Sequence, residues 1–248
     1  MTEARLIAGS GTSLIKRHDL LSIGCPPPTR TWFPRSHSQV LETVEQSLGA
    51  GGFSVESEEF CVSNDQHRFF GTLTLRTQVH EGVALAVGIR NSTDRTFPLG
   101  MVAGSRVFVC SNLSFHSEIL VNKKHTKHGQ ERFYESIAAS IQKLASYQQV
   151  EASRISAYRS TELSENEACG ILLHAFEEEV LSTKTLPVAL KEWRTPTLDD
   201  FKPRTAWSAW NAITNALRLR QGNMAQFASL TIRGYEVMDR SINFSQAG

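Results

Sequence analysis

The sequence predicts an α+β protein in which a curved antiparallel sheet fills the N-terminal half and a helical C-terminal half covers it. Three observations carry this. Two runs with period-two alternation, Phe69 to Val79 and Val83 to Ile89, are joined by His80-Glu81-Gly82 and read as an antiparallel hairpin. Two more strand-like runs, Arg106 to Cys110 and Glu118 to Lys123, follow after short polar connections. From about Gln130 the apolar spacing changes to the 3.6-residue period of a helix. Strands first and helices afterwards is an α+β order, and strands without intervening helices favour antiparallel pairing.

The elements follow in order. Residues 1–36 read as an extended N-terminal arm. Gly9, Ser10, Gly11 and the run Pro26-Pro27-Pro28 oppose regular structure, and a triple proline favours a polyproline segment. After Pro34, the positions Val40, Leu41, Val44 and Leu48 fall on one helical stripe over His37 to Leu48. Ser36 or Ser38 is placed to cap it, and Gly49, Gly51 and Gly52 to end it. The remainder, 37–240, is expected to be one domain, strand-rich over 37–128 and helical over 129–240.

In the helical part, Phe133, Ile137, Ile141, Leu144 and Tyr147 lie on the stripe of one long helix. Ser164-Glu165-Asn166-Glu167 is a capping box that opens a helix bearing Ala168, Ile171, Leu172, Ala175, Phe176 and Val180. Pro187, Pro196 and Pro203 frame an irregular connection with a short helix over Val188 to Trp193. Thr205 caps a helix carrying Trp207, Trp210, Ile213 and Leu217. Gly222-Asn223 breaks it, and a last helix presents Met224, Phe227, Ala228, Thr231, Tyr235 and Met238.

Composition narrows the class. Of 248 residues, 40% are hydrophobic and 21% charged, with 26 basic against 25 acidic side chains, so disordered, collagenous and coiled-coil classes are excluded. A net charge of +1 gives no overall attraction for polyanions, so a basic surface must come from how charge is distributed. Cys25, Cys61, Cys110 and Cys169 form no CxxC pair and read as thiols in a reducing compartment. No run approaches the roughly 20 apolar residues of a membrane span, and no secretory signal is read in the first 24 residues. The expected location is the cytoplasm, with no membrane partner.

Several strings then stand out: Pro34-Arg35-Ser36-His37, Arg68-Phe69-Phe70-Gly71-Thr72-Leu73, Gly88-Ile89-Arg90-Asn91-Ser92-Thr93-Asp94-Arg95, Gly104-Ser105-Arg106-Val107-Phe108-Val109-Cys110-Ser111-Asn112-Leu113, Lys124-His125-Thr126 and Trp207-Ser208-Ala209-Trp210-Asn211-Ala212-Ile213-Thr214. In order and spacing, from about residue 30 to 235, the chain resembles phage/plasmid-like proteins of a domain-of-unknown-function family found on prophages, plasmids and integrative elements. The resemblance implies a setting on mobile DNA rather than a reaction.

Four groups of residues are candidates for chemistry. Asn91-Ser92-Thr93-Asp94-Arg95 follows an apolar strand and can bind phosphate through Arg95 and the hydroxyls. The competing and favoured reading is a turn that Asn91 and Asp94 close on local backbone. Between 101 and 135 five bases, Arg106, Lys123, Lys124, Lys127 and Arg132, face three acids, Glu118, Glu131 and Glu135. Together with Arg90, Arg95 and His125 they are expected to bind a phosphate backbone without reading sequence; a solvated strand edge is the equal alternative. From 151 to 179 seven glutamates face two arginines, whereas from 202 to 240 six bases face two acids. Those segments either form a positive face or pair with each other, and pairing is favoured. Trp207 and Trp210, with Asn211 and Asn215, either stack on unpaired bases or form core; core is favoured.

No phosphate loop, dinucleotide fingerprint, HExxH or GxSxG string occurs, so the sequence predicts no cofactor and no metal. The expected function is sequence-independent binding or annealing of single-stranded DNA, without catalysis, at Arg90, Arg95, Arg106, Lys123, Lys124, His125 and Lys127. No helix-turn-helix, zinc finger or basic zipper is present to read a duplex groove. Assembly of copies into rings or filaments would supply avidity. Two alternatives stay open: a hydrolase or nuclease using His116, His125 or His128 with Asp94 and Asn112, and a factor that binds a host protein.

Overall fold

The computed structural model describes residues 11–108, 113–218 and 224–245. Six strands form one antiparallel meander in chain order: β1 (Thr12–Ile15), β2 (Val55–Ser63), β3 (Arg68–His80), β4 (Val83–Ser92), β5 (Leu99–Val107) and β6 (Leu113–Lys123). The fold is α+β, with a curved, unclosed sheet in the N-terminal half and most helices after it. Among the described residues, no helix is long and apolar enough to cross a membrane.

The hairpin falls where alternation and turn chemistry put it. His80 pairs with Val83 across Glu81-Gly82, and Gly82 takes φ +72, a conformation that favours glycine. β4 is buried along nearly its whole length, because it lies mid-sheet with both faces covered.

The neighbouring strands depart from the sequence expectation. β2 has no counterpart among the strands expected from the sequence; of its glutamates, Glu58 is matched by Arg17 and Glu59 by Arg106. The strand expected over Arg106 to Cys110 is instead β5, which ends at Val107; Val109 and Cys110 lie outside the described residues. Gly100, Ala103 and Gly104 hide β5's alternation. At Gly104 a Cβ would stand 1.8 Å from the Ser114 carbonyl oxygen, so the bulged β6 can close on β5 only over a glycine.

Part of the segment expected as an arm is built into the domain. Thr12–Ile15 pairs with Phe60 to Ser63 as an edge strand, and α1 (Arg17–Leu21) follows, its Leu20 fully buried. Residues 22–36 run without helix or strand. α2 (His37–Ala50) begins at a capping box between Ser36 and Gln39, and its apolar stripe is buried as the spacing requires.

One apolar stripe, Phe133 to Tyr147, is carried by two helices: α3 (Gly129–Gln142) and α4 (Leu144–Ser160) meet at Lys143. All five stripe residues are buried, so the break re-aims the second helix while the stripe stays on the core. α5 (Glu165–Glu177) opens with the Ser164–Glu167 capping box, and α6 (Leu186–Arg194) precedes a 3₁₀ turn at Asp199–Phe201. α7 (Ala206–Leu217) is capped by Thr205, and α8 (Met224–Ser241) lies along β6. The expected break at Gly222-Asn223 lies outside the described residues.

Charge between these helices is settled by pairing. Arg204 meets Glu165, Arg233 approaches Glu179, Arg240 meets Glu178 and Arg154 meets Asp239. Trp207 and Trp210 are buried, and Asn211 donates to the Trp207 carbonyl one turn back.

Candidate nucleic-acid interface

In a meander, alternate loops emerge at the same end of the sheet. The β2–β3 loop, the β4–β5 loop and the segment after β6 therefore share one end, and the chain before α2 crosses it. Phe33 N–H donates to the His125 carbonyl at 3.0 Å, and the Asn91 amide donates to the Arg35 carbonyl at 2.9 Å. His37 completes the joint. Its Nε2 bonds the Gln66 carbonyl and its Nδ1 meets the Asn91 amide, both at 2.9 Å. These contacts tie residues 33–37 to the β2–β3 loop, to β4 and to the segment after β6.

The turn chemistry read from Asn91-Ser92-Thr93-Asp94-Arg95 is present in detail. Asp94 accepts from the Thr96 N–H, and the Ser92 hydroxyl donates to the Phe97 carbonyl. Arg95 alone turns outward. Its backbone sits at φ 68, an uncommon conformation for a non-glycine residue, and its guanidinium lies 4.8 Å from the Trp32 ring centre. Gln66, at φ 60, marks the same end of the sheet. Backbone strain of this kind collects at functional sites.

Further cations lie on the segments that meet at this end of the sheet. Lys124 and Lys127 are exposed beyond the end of β6, Lys123 and Arg35 are half-buried, and Arg132 is exposed on the first turns of α3. Among the described residues none of Arg35, Arg90, Arg95, Lys123, Lys124, Lys127 and Arg132 has a carboxylate partner. The nearby Asp65 and Asp94 are taken by Arg68, and Glu131 faces His128. A guanidinium spread over an indole, with free lysines beside it, offers a base both a stacking plane and phosphate donors.

Two of the expected contact residues are placed otherwise. Arg106 is buried and bound to Glu59 at 2.7 Å and to the Thr74 hydroxyl at 3.2 Å. It sits opposite Leu113, whereas Lys123 sits opposite Leu99, seven residues along β5, which is about 24 Å at a strand's rise. His125 is 7% exposed with its ring centre 6.3 Å from that of Trp32. Burial holds its imidazole below the usual range, and neither ring nitrogen has a hydrogen-bond partner among the described residues. It lies beside Trp32 with the rings tilted by 55°, and its lowered pKa disfavours the charged form.

Arg90 is placed apart as well. It lies beside Asn122 and over Phe97, at the rim of a cavity under α8. For the hydrolytic alternative, Asn112 and the His116 side chain lie outside the described residues. Among the described residues no three His, Cys, Asp or Glu side chains group as a metal site.

Trp32, Arg35 and His37 were not singled out as site residues from sequence. The signal was the basic-aromatic spacing of Arg30, Trp32 and Arg35, which an assignment to a free arm conceals.

Fold and site together define an α+β protein whose meander sheet ends in a cationic, aromatic surface. Compared with protein-family models, curated proteins and solved structures, the chain finds no match in any of the three.

Proposed function

We propose that the protein binds single-stranded nucleic acid without sequence preference, in the setting of a mobile genetic element. The setting rests on the sequence strings from Pro34 to Thr214. The binding reading rests on one observation above others: Arg95 lies over Trp32 near lysines and arginines for which no carboxylate partner is found among the described residues. A flat ring and a guanidinium plane suit unpaired bases, and the lysines suit the backbone that carries them. No element suited to a duplex groove is needed. The contact set is Trp32, Arg35, Arg95, Lys123, Lys124 and Lys127, without Arg106 and His125.

Fluorescence anisotropy with a labelled oligothymidylate tests this. Lys123→Glu with Lys124→Glu is expected to weaken binding by more than about tenfold at low salt, with the melting temperature unchanged. Trp193, Trp207 and Trp210 are buried, so oligonucleotide-dependent quenching of indole emission reports Trp32. Unchanged affinity in the double variant abandons the reading.

A further inference from the structure

The register Arg90–Gly100–Asn122 sets three residues side by side across β4, β5 and β6. Gly100 leaves a gap there. A Cβ at that position would stand 2.8 Å from Arg90 Nε and 2.9 Å from its Cγ, so the arginine stem lies across the strand through space only glycine provides. Its Nη2 then donates to Asn122 Oδ1 at 2.7 Å, which fixes the guanidinium.

Above this row α8 closes a cavity of about 220 Å³ with Ala228, Ile232 and Arg233, while Val102 forms its floor. Arg233 brings a second guanidinium. Its Nη1 donates to the Glu178 carbonyl at 3.1 Å and stands 3.9 Å from Glu179, and its buried Nε has no hydrogen-bond partner. Burial weakens the hold of Arg90 on its proton, and no described carboxylate faces it. The wall thus holds two arginines, Asn122 and Ser229 among glycines and apolar side chains, and no acid among the described residues lines it. Arg90, partly withdrawn from water and with no described carboxylate beside it, gains from an anion supplied from outside, whereas Arg233, with Glu179 3.9 Å away and its side chain 38% exposed, adds a second donor.

We infer that this cavity binds a small organic anion with an apolar body, a monocarboxylate of medium-chain or aromatic type. The carboxylate meets Arg90 and Arg233, and the apolar part lies against Val102, Ala228 and Ile232. The site is separate from the Trp32–Arg95 surface and does not rest on the nucleic-acid reading.

Octanoate is the probe, with octanol and octylamine as its neutral and cationic counterparts, followed by calorimetric titration. Octanoate is expected to bind at one saturable site, octanol at least about tenfold more weakly and octylamine not at all. Arg90→Met and Arg233→Met each weaken octanoate by at least about tenfold while leaving octanol unchanged. Ile232→Trp, which fills the cavity from the helix, abolishes octanoate binding even if an arginine variant fails to fold. Trp32→Ala leaves octanoate binding intact and weakens oligonucleotide binding, which separates the two sites. The inference is overturned by absent saturation, by octanol matching octanoate, or by undiminished octanoate affinity in both arginine variants or in Ile232→Trp.

Discussion

Arg154 and Glu151 stand one turn apart on α4 with both side chains wholly buried, joined Nη1 to Oε2 at 2.5 Å. The pair is the centre of a polar network inside the core. Glu151 Oε1 accepts from the Tyr235 hydroxyl at 2.6 Å and from Ser105 at 2.8 Å, and Ser114 meets the same tyrosine at 2.8 Å. Arg154 reaches Asp239 through Nε at 3.2 Å, and Tyr158 donates to Asp239 at 2.6 Å. Burial raises both tyrosines well above the usual phenol range, so they act as fixed donors. The network joins α4, α8, β5 and β6.

Removing one charge from this network strands the others. Arg154→Met is expected to cost about 3–5 kcal/mol, since Glu151 is left buried without a counter-charge. Glu151→Leu combined with Arg154→Met costs less than the single change, because no uncompensated charge then remains at Glu151. Urea unfolding of the three proteins measures this, and a single variant as stable as the parent refutes it.

Burial pushes the imidazoles of His37 and His125 below their ordinary 6.5. Because the folded values are the lower ones, protons bind the unfolded chain more tightly. The stability due to neutral histidine is therefore complete above about pH 6.5 and is lost as pH falls through the folded values. Melting temperature should decline between about pH 7 and pH 5, and His125→Phe should flatten part of that decline. Identical pH profiles for the parent and the variant count against it.

Arg106 separates structural from binding cations. Arg106→Met removes the ion pair with Glu59 and the bond to the Thr74 hydroxyl and should cost about 1–3 kcal/mol. Oligonucleotide affinity should not change, because the residue lies at the far end of β5 from Lys123. A drop in affinity beyond the loss of folded protein would return Arg106 to the interface.

Asn91 holds the segment that carries Trp32. Asn91→Leu frees the Arg35 carbonyl and one nitrogen of His37, with an expected cost of about 1–3 kcal/mol. Iodide should quench Trp32 more readily in this variant, and oligonucleotide affinity should fall with it. Unaltered quenching and affinity would show that residues 32–37 are positioned by other contacts.

Salt gives a count of the phosphate contacts. Lys124→Ala should reduce the slope of log affinity against log salt by about 0.7, the value of one single-strand phosphate. An unchanged slope places Lys124 outside the interface.

The sequence by itself determined what depends on near neighbours. The Phe69–Ile89 hairpin with its Gly82 turn, the capping boxes at Ser36 and Ser164, and the buried stripes of α2, α5 and α7 are all periodic or short-range, so alternation and spacing suffice to find them. Even the favoured pairing of the glutamate-rich and arginine-rich helices was readable as a balance of charge. Only the tertiary structure decided who meets whom at long range. Arg106 looks like Lys123 in the sequence, yet Glu59 on β2 lies within bonding distance of the one, and among the described residues no acid pairs with the other. Trp32, in a segment that shows no periodicity, is held under Arg95 by its neighbours: Phe33 donates to the His125 carbonyl, and the Asn91 side-chain amide donates to the Arg35 carbonyl. Glu151 and Arg154 look like a solvated helix face until Tyr235 and Asp239 close over them. A side chain's charge is written in its codon, but its partner is set by strand order and helix packing, and function at this surface depends on which cations remain without one.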